Sequence, residues 1–132
     1  QMAAMSGVDV RLMIPHRSDS RLSDACSMSY LGRVLEAGVR VFRYKEGFLH
    51  SKAIVIDDFI SIVGSANMDE RSFNQNFEVN AFIYDRKTSN KLKKLFERDT
   101  QKCVEFTLSE WTNRKRKQKL KESFARLFSP LM

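Results

Sequence analysis

The residues best suited to chemistry lie in the stretch HSKAIVIDDFISIVGSAN, which begins at His50. His50, Lys52 and Asp57 follow the spacing H-x-K-x4-D, and Ser65 and Asn67 follow in the pattern G-S-x-N. A histidine can act as a nucleophile or carry a proton near neutral pH. A lysine adds a fixed positive charge, and serine and asparagine add neutral hydrogen-bond donors. This set suits an anionic, oxygen-rich centre such as a phosphodiester.

Two short strands must position these side chains. Residues 50–56 alternate and are rich in β-branched side chains, which predicts a strand on which His50 and Lys52 share a face. Asp57 has the other parity, at the end of this strand, and its position favours a structural role in a turn over acid–base work. A second apolar run, 59–63, returns after Asp57-Asp58 and carries the G-S-x-N pattern to its end.

The joint occurrence of these two patterns resembles the phospholipase D superfamily, the H-K-D enzymes. The continuation, NMDERSF from Asn67 and NFE from Asn76, resembles the bacterial cardiolipin synthases, and the resemblance extends from Gly7 to Leu131. It implies the C-terminal catalytic half of such an enzyme, and it implies an α/β fold with a mixed β-sheet flanked by helices. We expect residues 1–132 to form a single phospholipase D-like domain belonging to a longer protein.

The resemblance also implies a reaction and roles for residues. Two phosphatidylglycerol molecules would give cardiolipin and glycerol through a phosphohistidine, without a metal, nucleotide or other cofactor. His50 would be either the nucleophile or the general acid, Asp57 would complete the catalytic H-K-D set, and Lys52 and Asn67 would bind phosphate oxygens. Ser65 is either a further phosphate contact or a turn residue, and Asn67 would also suit a helix N-cap.

Glu78 lies on the strand that follows the motif, where the resembling family has a carboxylate. A nucleophilic imidazole works best when its other nitrogen donates to a carboxylate. We therefore expect Glu78 to orient the catalytic histidine, the alternative being an exposed strand residue. His16, the only other histidine, is expected to be an exposed residue of a loop over 15–21 that has some potential to contact a lipid headgroup.

With one motif copy, the chain is expected to hold half an active site. Its partners would be the other H-K-D half or a homodimer mate, phosphatidylglycerol or another anionic phospholipid, and the surface of the bacterial cell membrane, on the cytoplasmic side. Two alternatives remain at this point. One is a phosphodiesterase or nuclease of the same superfamily acting as a homodimer, although nucleic acid is a less favoured partner. The other is a lipid- or phosphate-binding module without turnover.

The net charge of +7 belongs to the C-terminal segment. Residues 111–128 hold seven Lys or Arg and one acid, whereas the other residues hold sixteen basic and fifteen acidic groups. We expect one basic helix over about 109–128. Its apolar residues would be its core side, or the helix would bind an anionic bilayer, and the two are compatible. These apolar residues are Trp111, Leu120, Phe124, Leu127 and Phe128.

The remaining pattern alternates strands with helices, which is typical of α/β domains. Strands are predicted over 8–14, 39–44 and 77–84, with helices over 20–37 and 90–103. No apolar run approaches the length of a membrane span, and the two cysteines are expected to be reduced thiols.

Overall fold

The computed structural model describes residues 1–16 and 21–126. The described part of the chain alternates strands with helices, and the predicted α/β class is confirmed. The strands are β1 Arg11–Pro15, β2 Arg40–Tyr44, β3 Ala53–Ile56, β4 Ile60–Gly64, β5 Asn80–Tyr84 and β6 Cys103–Phe106. The helices are α1 Met2–Met5, α2 Arg21–Glu36, α3 Glu70–Asn74, α4 Arg86–Thr100, α5 Leu108–Thr112 and α6 Arg116–Arg126.

The chain divides into two compact units, each with its own three-stranded sheet. Of the described residues, the first unit combines those of 1–49 with 102–126, and its sheet has the order β1-β2-β6. This sheet is mixed, as expected, because β1 and β2 are parallel and β6 is antiparallel to β2. The second unit is residues 50–101, and its sheet, β3-β4-β5, is antiparallel throughout. The described strands therefore form two sheets where the sequence predicted one. The pairing of β6 with β2, some sixty residues apart, also has no local signal in the sequence.

The core of the first unit lies between α2 and its sheet. Met28, Leu31 and Val41 are buried there, and Trp111 of α5 packs against them. The indole Nε1 of Trp111 donates to the Met28 carbonyl at 3.2 Å. Gly32 makes this approach possible, because a Cβ at that position would overlap the indole ring.

The predicted single helix over about 109–128 is two helices. The Thr107 hydroxyl accepts from the Glu110 N–H and the Glu110 carboxylate accepts from the Thr107 N–H, so a capping box begins α5. This helix ends at Asn113, and α6 begins at Arg116. Residues 114–117 are four successive cations, and like charges spaced three or four apart destabilise a continuous helix through them.

Helix α6 packs against α2 with a face that sequence reasoning did not identify. The buried residues of α6 are Glu122 and Ala125, whereas Leu120 and Phe124 are 71% and 63% exposed. Of the two alternatives left open for the apolar residues, the core-side one is therefore wrong for Leu120 and Phe124 and confirmed for Trp111. Leu127 and Phe128 lie outside the described residues.

Glu122 is buried because it has a cationic partner. Its carboxylate pairs with Arg114 at 3.1 Å, and the side chains are 5% and 8% exposed, respectively. The Arg114 guanidinium also lies over the Trp111 ring, 4.0 Å from its centroid. Burial lowers the pKa of Arg114, and the nearby Glu122 carboxylate opposes that effect.

His16 extends the first sheet. It is half-buried, unlike the exposed residue that we expected, because its backbone N–H donates to the Tyr44 carbonyl at 2.8 Å directly after β1. Residues 17–20 of the predicted loop lie outside the described residues. Of the helices over 1–16 and 21–126, none combines the length and the apolar character that crossing a bilayer requires.

Candidate active site

A tight hairpin sets the geometry of the motif. Strands β3 and β4 are joined by Asp57 and Asp58, whose φ angles are 48° and 58°, and the Phe59 N–H donates to the Ile56 carbonyl at 3.2 Å. Positive φ at both central residues is what a type I′ turn requires, and aspartate tolerates this conformation better than most side chains. The predicted turn is confirmed.

The turn fixes the strand register and thereby brings the two halves of the motif together. Ile56 pairs with Ile60 and Ala53 with Val63, and the ladder continues to the Gly64 N–H, which donates to the Lys52 carbonyl at 3.1 Å. The H-x-K and G-S-x-N patterns therefore meet at the open end of the hairpin. The predicted strand over 50–56 is shorter than expected, since β3 begins only at Ala53.

Asp57 lies at the closed end of this hairpin, with all of β3 between it and Lys52. At about 3.3 Å per residue, the four residues of β3 span about 13 Å. The neighbouring Asp58 forms an ion pair with Lys93 of α4 at 2.8 Å, which fastens the turn to that helix. This position supports the structural role that the parity of Asp57 favours.

His50 and Lys52 are in direct contact, although both precede the strand. The Lys52 ammonium lies 2.7 Å from His50 Nε2 and also donates to the His50 carbonyl at 3.0 Å. An ammonium has no lone pair, so Nε2 is the acceptor in this contact. The Nε2 lone pair therefore faces the Lys52 ammonium.

The Glu78 carboxylate is held by three donors. It accepts from the Ser65 hydroxyl at 2.5 Å, the Ser72 hydroxyl at 2.9 Å and the Asn76 side-chain amide at 3.3 Å. These bonds, that of Ser65 first and that of Ser72 second, lower the pKa of Glu78, and the positive charge of Lys52 contributes in the same direction. Glu78 is therefore a fixed, ionised carboxylate. Its predicted contact with His50 stays a prediction.

Ser72 is the residue of this network that sequence reasoning missed. Its hydroxyl donates to Glu78 and accepts from the Asn67 N–H at 3.1 Å, and it is only 7% exposed. Its backbone N–H donates to Asp69, the N-cap of α3, at 2.8 Å. The D-x-x-S spacing signals a cap, but no sequence pattern shows that the serine hydroxyl turns toward Glu78.

Ser65 and Asn67, the two residues of the G-S-x-N pattern that were predicted to contact phosphate, lie in different surroundings. Ser65 donates its single hydroxyl proton to Glu78, and its oxygen accepts from the Val79 N–H at 3.0 Å. A phosphate contact by Ser65 stays a prediction and would require that proton to leave Glu78. Asn67 is exposed, and its side chain is not the cap of α3, because Asp69 takes that role.

The groups gathered at the hairpin fall into two sets. One is the lysine–histidine pair, and the other is the Glu78 carboxylate with the two hydroxyls and the amide that donate to it. Over 1–16 and 21–126, no three His, Cys, Asp or Glu side chains are grouped so as to hold a metal ion.

Comparison with known families identifies this arrangement. The profile described as "Cardiolipin synthase, PLD-like domain" matches residues 1–100 of the chain. The chain belongs to this family. The match contains the whole hairpin, the H-x-K pair and the Glu78 network.

Curated cardiolipin synthases align with the entire chain. The Staphylococcus aureus enzyme is 46% identical over 132 residues, the major cardiolipin synthase ClsA of Bacillus subtilis 45%, and cardiolipin synthase 1 of Bacillus cereus 41%. The chain covers 27%, 27% and 26% of these relatives, respectively. It therefore spans about a quarter of the length of the curated relatives that it matches.

Solved structures share the fold at lower identity. Nuc from Salmonella typhimurium, a phospholipase D family member, superimposes with a TM-score of 0.68 at 22% identity, covering 80% of this chain and 69% of Nuc. A phosphatidylserine synthase from Haemophilus influenzae gives a TM-score of 0.68 at 20% identity, covering 99% of this chain and 37% of the other.

Proposed function

We propose that this chain supplies one half of the active site of a cardiolipin synthase, which transfers a phosphatidyl group from one phosphatidylglycerol to another. The observation that carries the proposal is the His50–Lys52 pair held beside the G-S-x-N pattern. It occurs in a chain that is 46% identical over its whole length to a cardiolipin synthase. In this proposal residues 1–132 act as a single phospholipase D-like domain.

The reaction proceeds by two displacements at phosphorus. A histidine nitrogen attacks the phosphorus of the first phosphatidylglycerol, a P–N bond forms, and the P–O bond to the terminal glycerol breaks. A second histidine gives the leaving alkoxide its proton. That histidine then takes a proton from a hydroxyl of the second phosphatidylglycerol, whose oxygen displaces the first histidine. Atoms balance as two phosphatidylglycerols giving cardiolipin and glycerol.

His50 supplies one of these two histidines, as the nucleophile or as the acid. A phosphate oxygen placed beside Lys52 would draw the ammonium away from His50 Nε2 and free that lone pair for attack or for proton transfer. The Lys52 ammonium would remain on the phosphate, where a charge-assisted hydrogen bond stabilises the charge that develops in the transition state. Asn67 adds a neutral donor to the same oxygens.

The second histidine must come from a second H-K-D set. We place it in another half of the same protein or in a second copy of this chain, and we place the working enzyme at the bacterial membrane surface, on the cytoplasmic side. Glu78 orients the His50 imidazole once both halves and the lipid phosphate are in position.

The test is a chimera in which residues 1–132 replace the matching segment of the Staphylococcus aureus cardiolipin synthase. We expect it to convert phosphatidylglycerol vesicles to cardiolipin with release of glycerol. His50→Ala should reduce that rate by at least about 10²-fold, because a group that moves a proton or attacks phosphorus contributes that much or more.

The matched control is His16→Gln in the same chimera, which removes the other histidine and should leave the rate within about twofold. Radiolabelled phosphatidylglycerol would also leave an acid-labile label on the enzyme. A chimera that makes cardiolipin equally well with and without His50 would refute the proposed role.

A further inference from the structure

Helix α6 exposes an apolar pair on the side that faces away from α2. Leu120 and Phe124 are one helical turn apart, so they lie side by side, and they are 71% and 63% exposed. At 100° per residue, the buried Glu122 and Ala125 lie on the opposite side of the same helix. The exposed pair therefore forms a short apolar stripe on α6.

The flanks of this stripe are cationic. On the helical wheel, Lys117 and Lys121 lie along one side of it, and Arg116 and Lys119 lie along the other. All four are exposed, and so is Lys115 directly before the helix. Long basic side chains so placed can rest their methylenes on an apolar phase and keep their charges at its polar boundary.

The fold buries the acidic side chain of this segment, so its negative charge does not lie on the exposed surface of α6. Glu122 is the only acid between residues 111 and 128, and it is buried in its ion pair with Arg114. Over the described residues 113–125, five cations are therefore exposed and no acid is. Because Glu122 is buried in this ion pair, the exposed charges of α6 over residues 116–125 are all positive.

We propose that α6 lies on the surface of a bilayer that contains anionic phospholipid, with Leu120 and Phe124 in the interface and Arg116, Lys117 and Lys121 at the lipid phosphates. An apolar stripe bordered by basic residues is the pattern of interfacial helices, whereas a nucleic-acid backbone offers nothing to Leu120. The inference deepens the proposed function, on which it rests for the choice of lipid, by naming the surface that holds the enzyme to its substrate.

The test is co-sedimentation of the chain with vesicles of phosphatidylcholine alone, or of equal parts phosphatidylcholine and phosphatidylglycerol. We expect binding only to the anionic vesicles, and we expect it to weaken as salt is raised. Lys→Gln at 115, 117 and 121 should weaken binding by at least about tenfold. Leu120→Ser with Phe124→Ser should also weaken it by about tenfold, with the charges unchanged.

Helix α4 offers a matched control. Lys87, Lys91 and Lys94 are exposed on it, so Lys→Gln at these three positions removes the same charge from another helix. Binding should stay within about twofold of the unsubstituted chain. All substituted side chains in both sets are exposed, and circular dichroism spectra would confirm that each variant folds.

Equal losses from the α4 and α6 charge sets would overturn the proposal, because net charge alone would then explain binding. So would unchanged binding in the Leu120/Phe124 variant, or binding to duplex DNA without binding to vesicles. Sedimentation does not require turnover. An inactive His50 variant that still sediments separates the failure of this inference from the failure of the proposed function.

Discussion

One hydroxyl, that of Ser72, connects two parts of the candidate site. It ties the backbone of Asn67, a proposed phosphate ligand, to the carboxylate of Glu78. A serine that both accepts and donates in this way sets the separation of its two partners. We regard Ser72 as a positioning residue, since its contacts are to groups of the site and none is to the proposed reacting atoms.

Ser72→Ala should shift the acid limb of the activity profile of the chimera to higher pH. The Ser72 hydroxyl helps to keep the pKa of Glu78 low, so its removal raises that pKa and the carboxylate becomes protonated at a pH where it is now ionised. Activity that depends on ionised Glu78 would then be lost earlier as the pH falls. The measurement is kcat against pH.

Ser89→Ala is the matched control for Ser72→Ala. Ser89 is a buried serine of α4 whose hydroxyl donates to that of Ser61 at 3.3 Å, away from Glu78. It should leave the acid limb in place. Identical profiles for the Ser72 variant and the unsubstituted chimera would contradict the positioning role.

At the scale of single residues, the alternating pattern correctly predicted that His50 and Lys52 lie together. The prediction that both belong to a strand was wrong, since β3 begins only at Ala53. The Glu78 network was beyond sequence reasoning for a physical reason. Its donors come from the end of β4, from α3 and from the loop between α3 and β5, and only the turn geometry brings them to one carboxylate.

Local capping hydrogen bonds determine where the helices α4 and α5 begin, and the sequence pattern alone did not predict these positions. Asp85, directly before α4, caps this helix by accepting from the Thr88 N–H at 2.7 Å. The helix predicted over 90–103 therefore begins earlier than expected, at Arg86. Thr107 caps α5 in the same way, by accepting from the Glu110 N–H.

Gly32→Ala should destabilise the chain by up to about 2 kcal/mol. Alanine favours a helix by about 1 kcal/mol over glycine, but overpacking a filled site typically costs about 1–3 kcal/mol. A Cβ on Gly32 would overlap the Trp111 ring, whose Nε1 is fixed to α2 by the Met28 carbonyl, so the steric cost should exceed the gain. Urea unfolding measures the difference.

Ser27→Ala provides the comparison on the same helix. Ser27 is exposed, so the substitution raises helix propensity without meeting the indole, and its stability should match or slightly exceed that of the unsubstituted chain. If Gly32→Ala also increased the free energy of unfolding, the Trp111 ring would have to move aside without a loss of stability, which would contradict the prediction.

For the whole molecule, one H-K-D set implies that the chain alone is incomplete. We expect light scattering to give a mass near 15.4 kDa and vesicle assays to give no cardiolipin, because in the proposed mechanism a single set supplies a nucleophile or an acid and not both. A particle of about twice that mass with turnover would show that two copies complete the site. His50→Ala in such a particle would then have to abolish the turnover.

The α/β class was predictable at this scale because it follows from alternating local patterns. The pairing of the strands was not. Strand β6 pairs with β2 although all residues of the second unit lie between these two strands in the sequence. The Arg40–Glu105 ion pair at 2.8 Å likewise connects residues that are 65 positions apart. Local periodicity carries no information about partners at such a distance.

The division of the chain also orders its assembly in time. The unit with the candidate site is one uninterrupted stretch, 50–101, whereas the other unit needs residues from both sides of it. Short loops close at a lower entropic cost than long ones, and local contacts form faster than distant ones. Strands β3, β4 and β5 are consecutive in the chain, whereas β6 must return to β2 from some sixty residues away. We therefore expect the hairpin beside His50 and Lys52 to form before β2 gains its second neighbour.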